Sequence, residues 1–440
     1  SATPWEGQRA SRTRVVFCLP GEQAAPDDHR GLIQMSRVID SRSRRRAHAG
    51  PTTHRLSRVA AATVALVVLA GCGAGGGGDG SSGGPDEHEN PTRKQATAAA
   101  LWLGGQLGRG VMKGEYGTDW GLTVDTLFAL EAADPDSDAD EESLDAAADR
   151  IVGALEKSPD SYFSAKDFEP KGGEKTRASG AVAKTLVAAE VADADPHSFG
   201  SFDLVEETTK LIVDDGAERG RLKDHDPIHH ADYSNLFGQA YAVMGLAEAG
   251  QESQPAVDFL LEQQCSEGYF RLEYNDAKSN PELTCDGGKA HKKSAPTVDG
   301  TALALSALLV AKDEGTKGLD KPIDDAVTWL TDTQADDGSF VDTAPGGTPN
   351  SNSTGLAAQA LAAAGETEAA DAASKWIATL QVDTDDAAGT KLADQAGAVA
   401  RTEKAFTGAE TAGIDKPAVL DEWRRATAPA TLGLAQDGPL

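Results

Sequence analysis

One stretch, residues 323–365, limits the folds open to this chain because it encodes a helical hairpin that recurs along the sequence. Its first half places apolar residues at the i, i+3, i+4, i+7 spacing of an amphipathic helix: Ile323, Ala326, Val327 and Leu330. Gln334 then leads into a turn signal at 336–338. After a Gly/Pro/Asn-rich loop, Asn352–Thr354 caps a second helix made almost wholly of Ala, Leu and Gly. The stretch therefore predicts two helices joined by a loop.

Copies of the first helix share an aromatic residue beside Leu or Ile, with Gln four or five positions later. They lie around Trp102 with Gln106, Phe259 with Gln264, Trp329 with Gln334, and Trp376 with Gln381. The spacing from Gln to the following Gly-x-aromatic is the same at Gly268 and Gly338. Two further first helices, ending near Leu155 and covering about 202–214, lack the Gln. Six copies of this helix are therefore predicted.

The second helices are apolar or small on nearly every face, so they must be buried all round. The first helices are amphipathic and belong outside. The sequence thus predicts an all-α fold, a double-walled ring of six hairpins and about twelve helices. A further helix from about Gly413 through Arg425 is expected to close the ring. The predicted starts of the second helices are Trp120, Arg177, Asp232, Thr297, Asn352 and Asp394.

This repeat resembles that of the terpenoid-cyclase and protein-prenyltransferase α/α-toroid superfamily, which includes squalene cyclases and vitamin carriers. The resemblance rests on aromatic-Leu-x-x-x-Gln-x-x-x-Gly-x-aromatic followed by a helix such as Val298–Leu305. It covers residues 96–428 and implies an α/α toroid. We expect the Gln side chain to cap neighbouring helix ends and clamp adjacent hairpins, a structural role.

The formal net charge of the 440-residue chain is −29, and the acidic excess lies outside a basic leader. A body this acidic repels phosphate backbones, which argues against a nucleic-acid partner.

The leader reads as an export signal beginning at Met35, with arginines preceding the apolar run Val59–Ala70. Leu69–Cys72 is similar to a bacterial lipobox, which implies cleavage before Cys72 and its lipidation. An ordinary signal peptide is the alternative. We therefore divide the chain into a leader and signal peptide (1–71, with 1–34 interpreted as spurious), a Gly/Ser-rich tether (72–95), the toroid (96–428) and a C-terminal tail (429–440). The expected location is the extracytoplasmic face of the cell membrane, anchored by lipid.

Cys265 and Cys285 lie 20 residues apart in the body of the chain. In an exported protein this pair predicts a disulfide, and a thiolate metal pair is the alternative.

The starts of the inner helices should gather at one mouth of the ring, where polar first-turn side chains form a candidate ligand site. The competing interpretation is that these residues only cap helices. The candidates for ligand binding are Asp119, Trp120, Arg177, Tyr233, Asn235, Thr301, Asn352 and Thr354, with Asp394 and Gln395 also placed at this mouth.

Candidate acids and bases at the mouth are Asp125, His230, Asp232 and Asp299. The Asp-x-Asp-Asp string at 383–386 matches a cyclase acid motif, but its place after Gln381 predicts an exposed turn. No Asp-x-Cys zinc motif occurs at an inner-helix start. His225, His229 and His230 form a dense cluster with nearby carboxylates, which is either a zinc site or a solvated loop.

These features favour a surface lipoprotein that binds a small molecule or an envelope protein at its mouth, without cyclase or prenyltransferase activity and without a predicted cofactor. The alternative is an extracytoplasmic enzyme acting on an isoprenoid or a glycan. Aromatic residues make up only 5% of the chain, too few for the cavity expected of a cyclase.

Overall fold

The structure is a computed structural model that describes residues 90–114, 117–164, 175–228, 230–274, 283–290, 292, 294–341, 347–385 and 387–437. All of these residues belong to one compact unit. The predicted signal peptide, Cys72 and most of the tether lie outside the described residues. Among the helices that are described, none combines the length and hydropathy needed to cross a bilayer.

Helices dominate the described chain, with one short antiparallel hairpin that pairs Met112 with Asp119. The elements are α1 (Arg93–Gln106), β1 (Met112–Gly114), β2 (Gly117–Asp119), α2 (Trp120–Glu131), α3 (Asp138–Lys157), α4 (Asp160–Phe163), α5 (Ser179–Val191), α6 (Leu204–Lys210), α7 (Leu236–Glu248), α8 (Gln254–Glu262), α9 (Cys285–Lys289), α10 (Val298–Asp313), α11 (Asp320–Thr333), α12 (Ser351–Ala363), α13 (Thr367–Ala378), α14 (Glu403–Ala412) and α15 (Pro417–Ala435).

Six helices form a closed inner ring, because α2, α5, α7, α10, α12 and α15 each contact the next and α15 returns to α2. Small residues allow close approach: a Cβ added at Gly355 on α12 would lie 2.2 Å from the Pro429 carbonyl oxygen on α15. Helices α1, α3, α6, α8, α11 and α13 pack outside this ring. The predicted α/α toroid of six hairpins is confirmed.

The sixth inner helix, expected to start near Asp394, was placed wrongly. Residues 394–402 are not helical, and α15 takes the inner position. Helix α15 was expected to end near Arg425 on the outside, but it continues to Ala435 with its last two turns buried. The physical reason is Gly397, which has φ +92° and packs against Ala98 of α1. The segment around Gly397 is therefore the turn of the sixth repeat, as the segments around Gly268 and Gly338 are the turns of their repeats.

The repeated glutamines join adjacent hairpins. The Gln334 side-chain amide donates to the Gly338 carbonyl at 3.0 Å and to the Ala369 carbonyl of α13 at 2.9 Å. Gln264 bonds Gly268 and Pro322 in the same way, and Gln381 bonds Gly397 and Gln95. The last of these links joins the final hairpin to the first.

Gln106 departs from this pattern, since its side-chain oxygen accepts from Arg424 at 3.0 Å. The bonding partners of the other three show the expected structural role, clamping one hairpin to the next.

The predicted disulfide between Cys265 and Cys285 is present. It joins the segment after α8 to the start of α9, and both sulfurs are buried beside Tyr269. The thiolate alternative is therefore excluded for this pair.

Candidate binding site at the mouth of the ring

Side chains from three inner helices meet inside the ring. Asp125, Lys184 and Tyr241 are each the sixth residue of their helix, on α2, α5 and α7. The rings of Phe128 on α2 and Tyr241 on α7 lie 6.2 Å apart, although α5 separates these two helices in the ring. Such a contact crosses the interior, so the sixth positions face the lumen.

Lys184 is the centre of this cluster. Its Nζ forms an ion pair with the Asp125 carboxylate and donates to the Gly121 carbonyl at 3.2 Å. The same Nζ lies 5.9 Å from the ring centroid of Phe128 and 5.6 Å from that of Tyr241. The Lys184 side chain is 12% exposed and that of Asp125 is 37% exposed. The carboxylate is therefore the accessible end of the pair.

Tyr162, from the short helix α4, adds a second phenol near Asp125. Burial, followed by the charges of Asp125 and Asp119, raises the pKa of Tyr162. Burial, followed by Asp125 and Tyr162, raises the pKa of Tyr241 well above the ordinary value. Both phenols therefore remain protonated at neutral pH and can donate hydrogen bonds.

Asp299 and Asn352 are the second residues of α10 and α12. Because residues four apart share a helix face, second positions lie on the same side as the sixth and one turn nearer the mouth. Asp299 is 5% exposed, and the buried side-chain oxygen of Asn352 has no hydrogen-bond partner in the described part of the chain. Asn352 therefore carries an unused acceptor, and that oxygen is buried.

Asp119 closes the ring instead of facing a ligand. One of its oxygens caps α2 by accepting from the Leu122 amide at 2.9 Å, and the other pairs with Arg425 of α15. Arg425 also pairs with Asp421 at 2.8 Å. Asp119 thus links the first and last inner helices.

Several other predicted candidates are occupied by structural contacts. The Thr301 and Thr354 hydroxyls are buried and accept the backbone N–H of Phe270 and of Phe340, each at 3.0 Å. The Asn235 side chain caps α7 by accepting from the Phe237 amide at 3.1 Å. The Asn235 contact agrees with the capping interpretation, whereas the two threonines bind the loop that precedes their helix.

Two charged candidates near α5 and α7 are also held in ion pairs. Arg177 pairs with Asp160 at 3.5 Å and Glu207 at 3.3 Å. Asp232 pairs with Arg221 at 2.7 Å. Their charges are therefore already compensated within the protein.

The remaining candidates lie away from the lumen. Trp120 lines a groove against α3, and Tyr233 is 68% exposed on the loop before α7. Asp394 is exposed, and Gln395 accepts from the Trp102 indole at 3.1 Å on the outer wall. The prediction that Asp394 and Gln395 lie at the mouth was wrong, because the inner helix of the sixth repeat is α15 and does not start at these residues.

The histidine cluster receives no support as a metal site from the described residues. His225 and His230 are exposed, and His229 lies outside the described residues. Within those residues, the grouping close enough to hold an ion is Cys265, Glu267 and Asp286, and its sulfur is used in the disulfide. Zinc binding by this cluster stays an untested alternative.

Sequence reasoning missed Lys184, Tyr162 and Tyr241. A signal for Lys184 was present, since it is the one charged residue in the sequence 179–189. A charge there must find a partner on a neighbouring helix. No comparable signal marks the tyrosines, because their neighbours come from distant segments.

No protein-family profile and no curated protein matches the sequence. Similar solved structures include a protein from Actinoplanes, at 16% identity and a TM-score of 0.48, with 78% of this chain and 99% of that chain covered. Unsaturated glucuronyl hydrolase from Bacillus sp. GL1 is 12% identical with a TM-score of 0.47, covering 77% and 96%. The type II terpene cyclase MstE from Scytonema is 13% identical with a TM-score of 0.49, covering 79% and 98%. These values carry no activity over to this chain.

Proposed function

We propose that the protein binds a small molecule rich in hydroxyl groups, such as a saccharide unit, in the lumen at the mouth of the ring. The observation that carries this proposal is the Asp125–Lys184 pair set between the rings of Phe128 and Tyr241. The pair is neutral as a whole, so a charged ligand is not required. Its carboxylate accepts hydrogen bonds from hydroxyl groups, and the protonated phenols donate them.

The aromatic faces supply the apolar surface that a sugar ring needs beside these polar groups. Binding is favoured over catalysis because Asp119 and Asp232 are engaged in ion pairs and Asp299 is buried. The lipobox at Leu69–Cys72 supports a lipid anchor on the extracytoplasmic side, where envelope saccharides are available.

The test is native mass spectrometry of the full chain purified from the envelope of its native host in chelator-free buffer. We expect a retained mass that matches a saccharide and that is lost in Lys184→Met and Asp125→Asn. The matched control is Lys312→Met, which removes a surface pair with Asp320 outside the lumen. Circular dichroism of each variant checks that the helices are intact.

Two results would contradict the proposal. One is a wild-type protein without any retained molecule that also fails to bind a panel of envelope saccharides. The other is a ligand retained equally by all three variants. A saccharide that is converted during incubation would instead favour the enzymatic alternative, with Asp125 as the accessible carboxylate.

A further inference from the structure

A groove of about 570 Å³ lies outside the ring, between the connection from α1 to α2 and the end of α3. Trp120, the first residue of α2, lines it. Three cations line it: Arg109, Arg150 and Lys157. The hydroxyls of Thr118 and Ser158 line it as well. This groove is separate from the lumen, so its ligand is independent of the proposed function.

The charge of the groove is opposite to that of the chain, whose formal net charge is −29. The residues lining it include no acidic side chain. Across the part of the chain that the structure describes, none of the three cations forms an ion pair, and Arg150 donates only through Nε to the Ala146 carbonyl at 3.0 Å. Three uncompensated cations in an acidic protein favour an anionic ligand.

Backbone geometry holds these cations together. Gly110 has φ +84° and packs so closely on α3 that an added Cβ would lie 2.2 Å from the Arg150 carbonyl oxygen. Arg109 precedes it with φ 60°, in a turn closed by the Gly108 amide and the Val111 carbonyl at 2.9 Å. The turn is therefore fixed against α3, with Arg109 and Arg150 on the same groove.

We propose that this groove binds a phosphorylated sugar. Arginine and lysine recognise the phosphate oxygens, the arginines through paired N–H groups. Trp120 provides a flat apolar surface for the sugar ring, and the two hydroxyls supply hydrogen bonds. The volume accommodates a ligand of this size.

The test is isothermal titration of the full chain with three probes: inorganic phosphate, glucose and glucose 6-phosphate. We expect saturable binding of glucose 6-phosphate that weakens as salt is raised. Arg150→Ala and Lys157→Ala should each weaken it about three- to tenfold, since charge-assisted hydrogen bonds at exposed sites are screened. Trp120→Ala should weaken the binding of glucose 6-phosphate more than the binding of inorganic phosphate.

The matched control is Lys94→Ala, which removes a cation of α1 whose side chain is 86% exposed, away from the groove. The affinity of Lys94→Ala for glucose 6-phosphate should equal that of the wild type. Equal affinity for inorganic phosphate and glucose 6-phosphate would overturn the sugar assignment. Absence of binding at millimolar concentration, or equal losses in Lys94→Ala and Arg150→Ala, would overturn the site itself. Asp125 does not line the groove, so Asp125→Asn should leave the affinity for glucose 6-phosphate unchanged. The outcome at the groove can therefore be told apart from the outcome at the lumen.

Discussion

Replacing Gly338 by Ala tests how the hairpins are joined. Gly338 has φ +89°, and an added Cβ would lie 2.3 Å from the carbonyl oxygen and 2.5 Å from the carbonyl carbon of Ala372 on α13. Ordinary contacts are about 3.5 Å, so the turn and α13 must separate by roughly 1 Å. That movement would also stretch the two bonds of the Gln334 amide.

The matched control is Gly365→Ala. Gly365 has φ +85°, nearly the same conformation, but an added Cβ meets nothing within 4 Å. The left-handed conformation alone should lower the free energy of unfolding by about 1–2 kcal/mol in either variant. Loss of the Gln334 bonds adds about 0.5–1.5 kcal/mol for each bond. We therefore expect a loss of about 2–5 kcal/mol for Gly338→Ala and about 1–2 kcal/mol for Gly365→Ala.

The assay is urea unfolding at 25 °C followed by far-ultraviolet circular dichroism, with the midpoint and slope fitted for each variant. Equal losses in the two variants would refute the reasoning, because they would leave only the backbone conformation as the cause. A larger loss in Gly365→Ala would do the same.

Three further changes test the fold. Thr354→Val keeps the side-chain shape but leaves the buried Phe340 N–H without its acceptor, and should lower the free energy of unfolding by about 1–3 kcal/mol in urea. Replacing Cys265 and Cys285 together by Ser opens a 20-residue separation and should cost about 3 kcal/mol, whereas a reducing agent should not affect the double variant. Burial, followed by the charge of Glu248 at the end of α7, raises the pKa of Glu190. The folded protein therefore binds this proton more tightly than the unfolded chain does. Its stability falls as the pH rises past the ordinary glutamate pKa of about 4.3. Glu190→Gln should therefore raise the melting temperature by about 1–2 °C at pH 7 and leave it unchanged at pH 3; a rise at both would contradict the pKa argument.

The helical hairpins were predictable because their signals are local. The spacing of apolar residues, the caps and the Gln-to-Gly interval repeat within each copy, and five of the six inner helices follow from them. The sixth inner helix did not follow from them. Helix α14 and the first turns of α15 lie between the turn at Gly397 and Thr427, which is buried in the inner part of α15. The Val399 amide bonds the Thr427 hydroxyl at 3.0 Å, a contact across 28 residues that no local pattern encodes.

The sequence by itself determined the all-α ring, the clamping glutamines and the disulfide, because helix periodicity and cysteine pairing depend on residue type and short spacing. Only the tertiary structure decided which polar side chains are accessible. Thr301 and Asp125 both lie in the first two turns of their helices. The Thr301 hydroxyl accepts the Phe270 amide, whereas the Asp125 side chain is 37% exposed beside Lys184. That difference arises from partners on other hairpins, which become neighbours only when the ring closes.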